Sequence, residues 1–155
     1  GYTPVEFGWL ALLVAISYLI GTYINNALIP HYCAHTLIQV GLIIICVFSL
    51  IGLLFGMMGY LNVYVIAIPV SLVILGGGFI YPNAVALAFE PIHKNIGIAS
   101  ALYLSLQLLV CALSSAIMAK LPENSQVPMM AFLLFLSVLL TSIYLYKNIR
   151  TQASV

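Results

Sequence analysis

Charged side chains are nearly absent from this sequence of 155 residues, which has four Lys or Arg and three Asp or Glu. Ordinary globular domains carry about 25% charged residues because a water-exposed surface needs those groups. The net charge of +1 excludes a nucleic-acid binder built on a basic patch. Since 65% of the residues are hydrophobic, we predict an integral membrane protein whose surroundings are the lipid bilayer.

Other signatures of protein classes are missing as well. The three cysteines form no CxxC and are odd in number, so neither a disulfide framework nor a zinc site is indicated. No HExxH, no GxSxG and no grouping of His, Asp and Ser appears, which predicts a protein that is not an enzyme and has no metal. The sequence opens on Gly1 without a Met or a signal peptide, and we interpret it as a fragment of a longer polypeptide.

Five long apolar stretches are present, and a helix needs about 20 such residues to cross the hydrocarbon core. The strands of a β-barrel would instead alternate over about 10 residues. We therefore predict an all-α membrane protein with a single transmembrane domain over residues 1–155. Its short connections make consecutive helices antiparallel neighbours. The predicted helices are residues 7–29, 36–58, 61–89, 96–119 and 128–146.

The few basic residues predict an orientation. An odd number of spans puts the two termini on opposite sides of the membrane. Lys94, Lys147 and Arg150 then share one side, whereas Lys120 lies on the other. Because basic residues are concentrated in cytoplasmic loops, we expect a cytoplasmic C-terminus and an external N-terminus.

Polar side chains are concentrated in the first, third and fourth spans, often at steps of three or four that put them on one face of a helix. In hydrocarbon such groups face a bundle interior or a polar cavity. They serve either as hydrogen bonds between helices, worth about 0.6–2 kcal/mol each, or as the lining of a substrate cavity. The candidates for that lining are Tyr18, Thr22, Asn25, Tyr81, Ser100, Tyr103 and Gln107.

The third span also contains glycines and a proline that affect the backbone of the helix. Gly76, Gly77 and Gly78 permit either close helix packing or local unwinding of a gating helix, and Pro82 removes a backbone donor nearby. Glu90 ends the span. It is a candidate protonatable group, or alternatively a solvated residue at a helix end.

The segment 90–107 resembles a hallmark of Bcr/CflA-type multidrug:proton antiporters, in the major facilitator superfamily, which reads roughly EP-x4-AGTASALLGFLQ. The matching positions are Gly97, Ala99, Ser100, Ala101, Leu102, Leu106 and Gln107. Residues 81–88 resemble the proline-containing helix 10 of that family. Phe7-Gly8 and Asn26-Ala27-Leu28 resemble the start and the end of its helix 8.

The resemblance implies a twelve-helix transporter in which this chain supplies helices 8 to 12, most of the C-terminal half. In that fold helices 8, 10 and 11 line the central cavity, and helices 9 and 12 are more peripheral, as the distribution of polar residues also suggests. The resemblance further implies the bacterial inner membrane, a proton gradient as energy source in place of a cofactor, and the N-terminal helices of the same polypeptide as partners.

The predicted function is proton-coupled efflux of drugs or small amphipathic metabolites. Two alternatives stay open. A symporter of the same superfamily could take up a nutrient or metabolite, because the fold does not fix the direction of transport. A standalone five-helix membrane protein could act in interaction or assembly.

Overall fold

The computed structural model describes residues 4–59, 63–92, 94–120 and 127–152, with side chains at 5, 8–59, 63–92, 94–120 and 127–144. None of these residues belongs to a β-strand. All five helices are long and apolar enough to cross a membrane, which confirms the predicted all-α class and its five membrane-length helices. The helices are α1 (Pro4–Leu28), α2 (Ala34–Met57), α3 (Val63–Phe89), α4 (Ile96–Met118) and α5 (Val127–Gln152).

The helix boundaries differ from the predicted ones mainly at the C-terminus. We expected the last helix to end at Tyr146, but α5 continues to Gln152. Residues 147–152 contain neither glycine nor proline, so nothing in their sequence interrupts the helix. Lys147 and Arg150 therefore belong to a helix and not to a tail.

Two residues with positive φ mark where helices end and begin. Gly59 follows α2 at φ 76°, a conformation that a residue without Cβ adopts at no steric cost. Asn95 precedes α4 at φ 61° and ψ 35°, and asparagine is among the few other residues that tolerate this region. The Asn95 carbonyl accepts hydrogen bonds from the backbone of Ile98 and Ala99, which fixes the first turn of α4.

Helix α3 is central to the packing. It packs against α1 and α2, and α2 also packs against α5. The expectation that consecutive helices are neighbours therefore holds for α2 and α3 but fails for α1, whose main partner is α3, and for α4, which makes no extensive contact with α3 or α5. The contacts of Gly21 with Leu75 and of Asn25 with Asn83 run in the same direction, so α1 and α3 are parallel.

The interior of the bundle is unusually polar for its size. Seven apolar and five polar side chains are buried among the described residues, whereas the exposed surface carries many large Leu, Ile, Val and aromatic residues. In water that distribution would be unfavourable, but lipid is as apolar as leucine and leaves the interior free to hold polar groups. The buried polar residues are Asn25, Ser49, Ser71, Asn83 and Ser137.

Glycines allow α1 and α3 to meet at backbone distance. A Cβ on Gly21 would overlap the carbonyl oxygen of Leu75, and a Cβ on Gly78 would lie 2.8 Å from the backbone nitrogen of Thr22. Gly76 makes a similar contact with α2, 3.0 Å from the carbonyl oxygen of Gly41, but Gly77 faces open space. Helix α3 is uninterrupted through these glycines, so close packing explains two of the three.

We predict that Gly78→Ala destabilises the protein by about 1–3 kcal/mol, the usual cost of overpacking, because the new methyl group meets backbone that cannot move aside. Gly77→Ala is the matched control in the same triplet, and we expect it to be tolerated. Thermal unfolding in detergent measures both. Equal midpoints for the two variants would contradict the packing described here.

Candidate functional site

Helix α4 turns a polar face towards the other helices, although none of its residues is fully buried. Exposed leucines, including Leu102, Leu106 and Leu109, form most of its remaining surface. The polar face is therefore the inward one, and it is held without extensive helix–helix contact. The partly buried residues are Ala99, Ser100, Tyr103, Gln107, Ser114 and Met118.

Three of the predicted cavity residues come together from three helices. The hydroxyl of Tyr103 on α4 interacts with that of Tyr81 on α3, and Tyr18 on α1 is close enough for an electrostatic interaction with Tyr103. The Tyr103 ring also meets Phe89 edge to face, with ring centroids 5.7 Å apart and an interplanar angle of 72°. We refer to Tyr18, Tyr81 and Tyr103 as the tyrosine cluster.

A buried amide pair joins α1 to α3. Asn25 and Asn83 are only 1% and 3% exposed. The side-chain nitrogen of Asn83 donates to Oδ1 of Asn25 at 2.6 Å and to the carbonyl of Phe79 at 2.7 Å. Both of its protons are thus used, and the Asn25 oxygen that we expected to face a cavity serves as a link between helices.

An open groove of about 440 Å³ lies beside this pair, between α1 and α3. Pockets for small ligands span about 300–1,000 Å³, so the groove is large enough for one. The Thr22 hydroxyl in its wall donates to the carbonyl of Tyr18 at 3.0 Å and is therefore engaged within α1. The groove is lined by Leu19, Thr22, Tyr23, Asn25, Asn26, Ile29 and Pro82, which brings three predicted residues to one place.

Two further predicted residues have different surroundings. The Ser100 hydroxyl donates to the carbonyl of Gly97 at 3.0 Å, a bond within the first turn of α4. Glu90 follows the end of α3 and is exposed, as is Lys94. Neither of these charged residues forms an ion pair with any residue that the structure describes, so Glu90 has the position of a solvated residue at a helix end.

One polar contact was not predicted from the sequence. At the start of α2, Nδ1 of His35 forms a hydrogen bond with the Tyr144 hydroxyl in the second half of α5. Gln39 and Thr141 line a groove of about 160 Å³ beside it. Finding this pair requires knowing that α2 packs against α5, and neither periodicity nor loop length reveals which distant helices are neighbours.

Gln107 carries an unsatisfied acceptor. Its Oε1 atom is shielded from solvent and accepts no hydrogen bond from the described residues. Leaving a buried polar group without a partner costs about 1–3 kcal/mol. Gln107 lies one helical turn beyond Tyr103 on the inward face of α4, so the unpaired oxygen belongs to the same side of that helix as the tyrosine cluster.

Comparison of this chain with protein-family models, with curated proteins and with solved structures finds no match. The resemblance to drug:proton antiporters therefore stays a prediction. The chemistry of the site follows from the residues and their geometry alone.

We predict that Asn83→Ala destabilises the protein by about 1–3 kcal/mol, because it removes the donor to a buried Asn25 oxygen. Adding Asn25→Ala should cost less than the sum of the two single changes, since the double variant leaves neither amide unpaired. Asn26→Ala, at an exposed neighbouring amide, is the control. Unfolding in detergent measures this cycle, and strictly additive effects would show that the bond contributes nothing.

Proposed function

We propose that this chain is the C-terminal part of a secondary transporter that exports drugs or small amphipathic metabolites in exchange for protons. The observation that carries the proposal is the tyrosine cluster, in which polar aromatic side chains of three membrane-length helices, α1, α3 and α4, come together. Polar groups at membrane depth are costly and are typical of substrate pathways.

The tyrosine cluster suits an amphipathic ligand. Its rings offer apolar area and faces that attract cations, and its hydroxyls both donate and accept hydrogen bonds. Gln107 adds an amide one turn further along α4. None of the charged side chains that the structure describes, Glu90, Lys94 and Lys120, lies within a helix. The described part of the site therefore has aromatic and amide character without a fixed charge.

The distribution of candidate binding residues among the helices supports the same proposal. Helices α1, α3 and α4 supply all the candidate binding residues, although exposed apolar residues suited to lipid are at least as frequent on α1 and α4 as on α2 and α5. This is the division that the resemblance implies for helices 8, 10 and 11 against 9 and 12. In such a transporter the binding site lies near the bilayer midplane, and the two halves rock around it.

Proton coupling, the inner membrane and the cytoplasmic C-terminus belong to the proposal through the resemblance of segment 90–107 and the distribution of basic residues. Glu90 is the candidate protonatable group on this chain, and its exposed position after α3 would leave it in contact with solvent. Gly76, Gly77, Gly78 and Pro82 are the candidate positions at which α3 would bend during transport.

A standalone interaction or assembly protein is the second candidate. The observation that favours it is α4, which buries no residue fully within the described bundle and so leaves most of its surface for other helices or lipid. Sequencing of the coding region upstream of Gly1 separates the two candidates. Seven further hydrophobic spans, one of them with an acidic residue, would support the transporter, and a start codon near Gly1 would support the standalone protein.

We predict that Tyr103→Ala in the full-length protein lowers transport about tenfold, the loss expected when one aromatic contact of about 1–2 kcal/mol is removed. Tyr32→Ala changes an exposed tyrosine outside the helices and is the matched control. Proteoliposomes with an imposed pH gradient measure both variants. Substrate movement opposite to the proton flux indicates the exporting antiporter, and substrate movement in the same direction as the protons indicates the symporter.

Equal transport by the wild type and Tyr103→Ala, with equal amounts of protein in the membrane, would contradict the binding role of the tyrosine cluster. Transport that is indifferent to the pH gradient would contradict proton coupling alone.

A further inference from the structure

We infer that Gln107 determines ligand specificity by accepting a hydrogen bond from the ligand, so that the site takes amphipathic molecules carrying an N–H donor, such as protonated amines or amides. This inference rests on the proposed function, because it assigns a substrate class to the same site. The observation behind it is the Gln107 Oε1 atom, which is shielded from solvent yet accepts no hydrogen bond from the described residues.

A hydroxyl can donate its proton to a backbone carbonyl of its own helix, but an amide oxygen on a helix finds no free donor there. Serine and threonine side chains donate to carbonyls one turn earlier, and Ser105 and Thr141 do so here at 2.8 and 2.7 Å. An oxygen needs a donor instead, and in the interior of an α-helix every backbone N–H is already bonded. The partner of Gln107 Oε1 must therefore come from elsewhere.

Several donors of the candidate site are already engaged. The hydroxyls of Thr22 and Ser100 donate within their own helices, and Tyr103 interacts with Tyr81. The amide protons of Asn83 are both bonded. A ligand held against the tyrosine cluster would be positioned to supply the missing donor.

The same surroundings select the charge of the ligand. An uncharged oxygen acceptor one helical turn from an aromatic ring is complementary to a neutral or cationic donor and not to an anion, which needs donors or positive charge. The charged side chains that the structure describes, those of Glu90, Lys94 and Lys120, all lie outside the helices. An N–H group on an aromatic or aliphatic body fits both the oxygen and the rings.

The test compares two cationic probes that differ by one donor, a protonated tertiary-amine dye and its N-methyl quaternary analogue. Both carry the same rings and the same charge, but only the tertiary amine has an N–H. We expect the detergent-solubilised full-length protein to bind the tertiary amine about fivefold to tenfold more tightly in equilibrium titrations, which is the discrimination that one net hydrogen bond provides.

Gln107→Met, which keeps the length of the side chain and removes the acceptor, should bring the affinity ratio of the two probes close to one. Gln39→Met is the matched control, because Gln39 is also partly buried but lies on α2 beside Tyr144. That control should keep the wild-type ratio. Because the wild-type ratio alone is informative, the inference stays testable even where Gln107→Met does not fold.

Failure of the inference differs from failure of the proposed function. Binding of both probes with equal affinity by the wild type, or an unchanged ratio in Gln107→Met, would overturn the role of Gln107 and leave the transporter proposal standing. Absence of binding for both probes, together with absence of transport, would overturn the proposed function and the inference with it.

Discussion

The backbone contact between α1 and α3 is the interaction on which the other features depend. Gly21 and Gly78 allow the two helices to touch without intervening side chains, and the Asn25–Asn83 hydrogen bond lies about one turn further along. Together these contacts fix both the distance and the register of the pair. Tyr18 and Tyr81 lie on the same two helices. Their relative positions, and with them the tyrosine cluster, therefore depend on the contact that the glycines allow.

The bilayer sets a second constraint, because no water is present to satisfy polar groups within the hydrocarbon. Hydroxyl groups can avoid the resulting penalty by donating to carbonyls of their own helices, as Ser105 and Thr141 do, although the buried hydroxyls of Ser49 and Ser71 have no partner among the described residues. Amide side chains cannot do the same, because the amide oxygen needs a hydrogen-bond donor and a helix interior has no free N–H group. The amide side chains therefore report most directly on what surrounds a helix: Asn25 has a partner on α3, whereas the oxygen of Gln107 has none among the described residues.

The sequence was sufficient to predict five helices, because apolar runs of membrane length are unambiguous. It also identified which helices carry polar faces, and the inward orientation of Tyr103 and Gln107 follows that pattern. It could not predict that α1 packs against α3, since short loops favour sequential neighbours and the deciding contact is made by single glycines. For the same reason three identical glycines could not be separated into Gly76 and Gly78, which touch other helices, and Gly77, which does not.

The choice between helix–helix bonding and ligand binding is made residue by residue. Asn25 is buried and bonded across the α1–α3 interface, so its polarity is explained by packing. That explanation does not extend to Gln107, because its oxygen has no donor on any described helix and α4 buries no residue fully. A helix that lined a binding cavity would make few contacts and keep an acceptor uncommitted, as α4 does with the Gln107 oxygen. The binding proposal therefore depends on α4 more than on the better-packed α1.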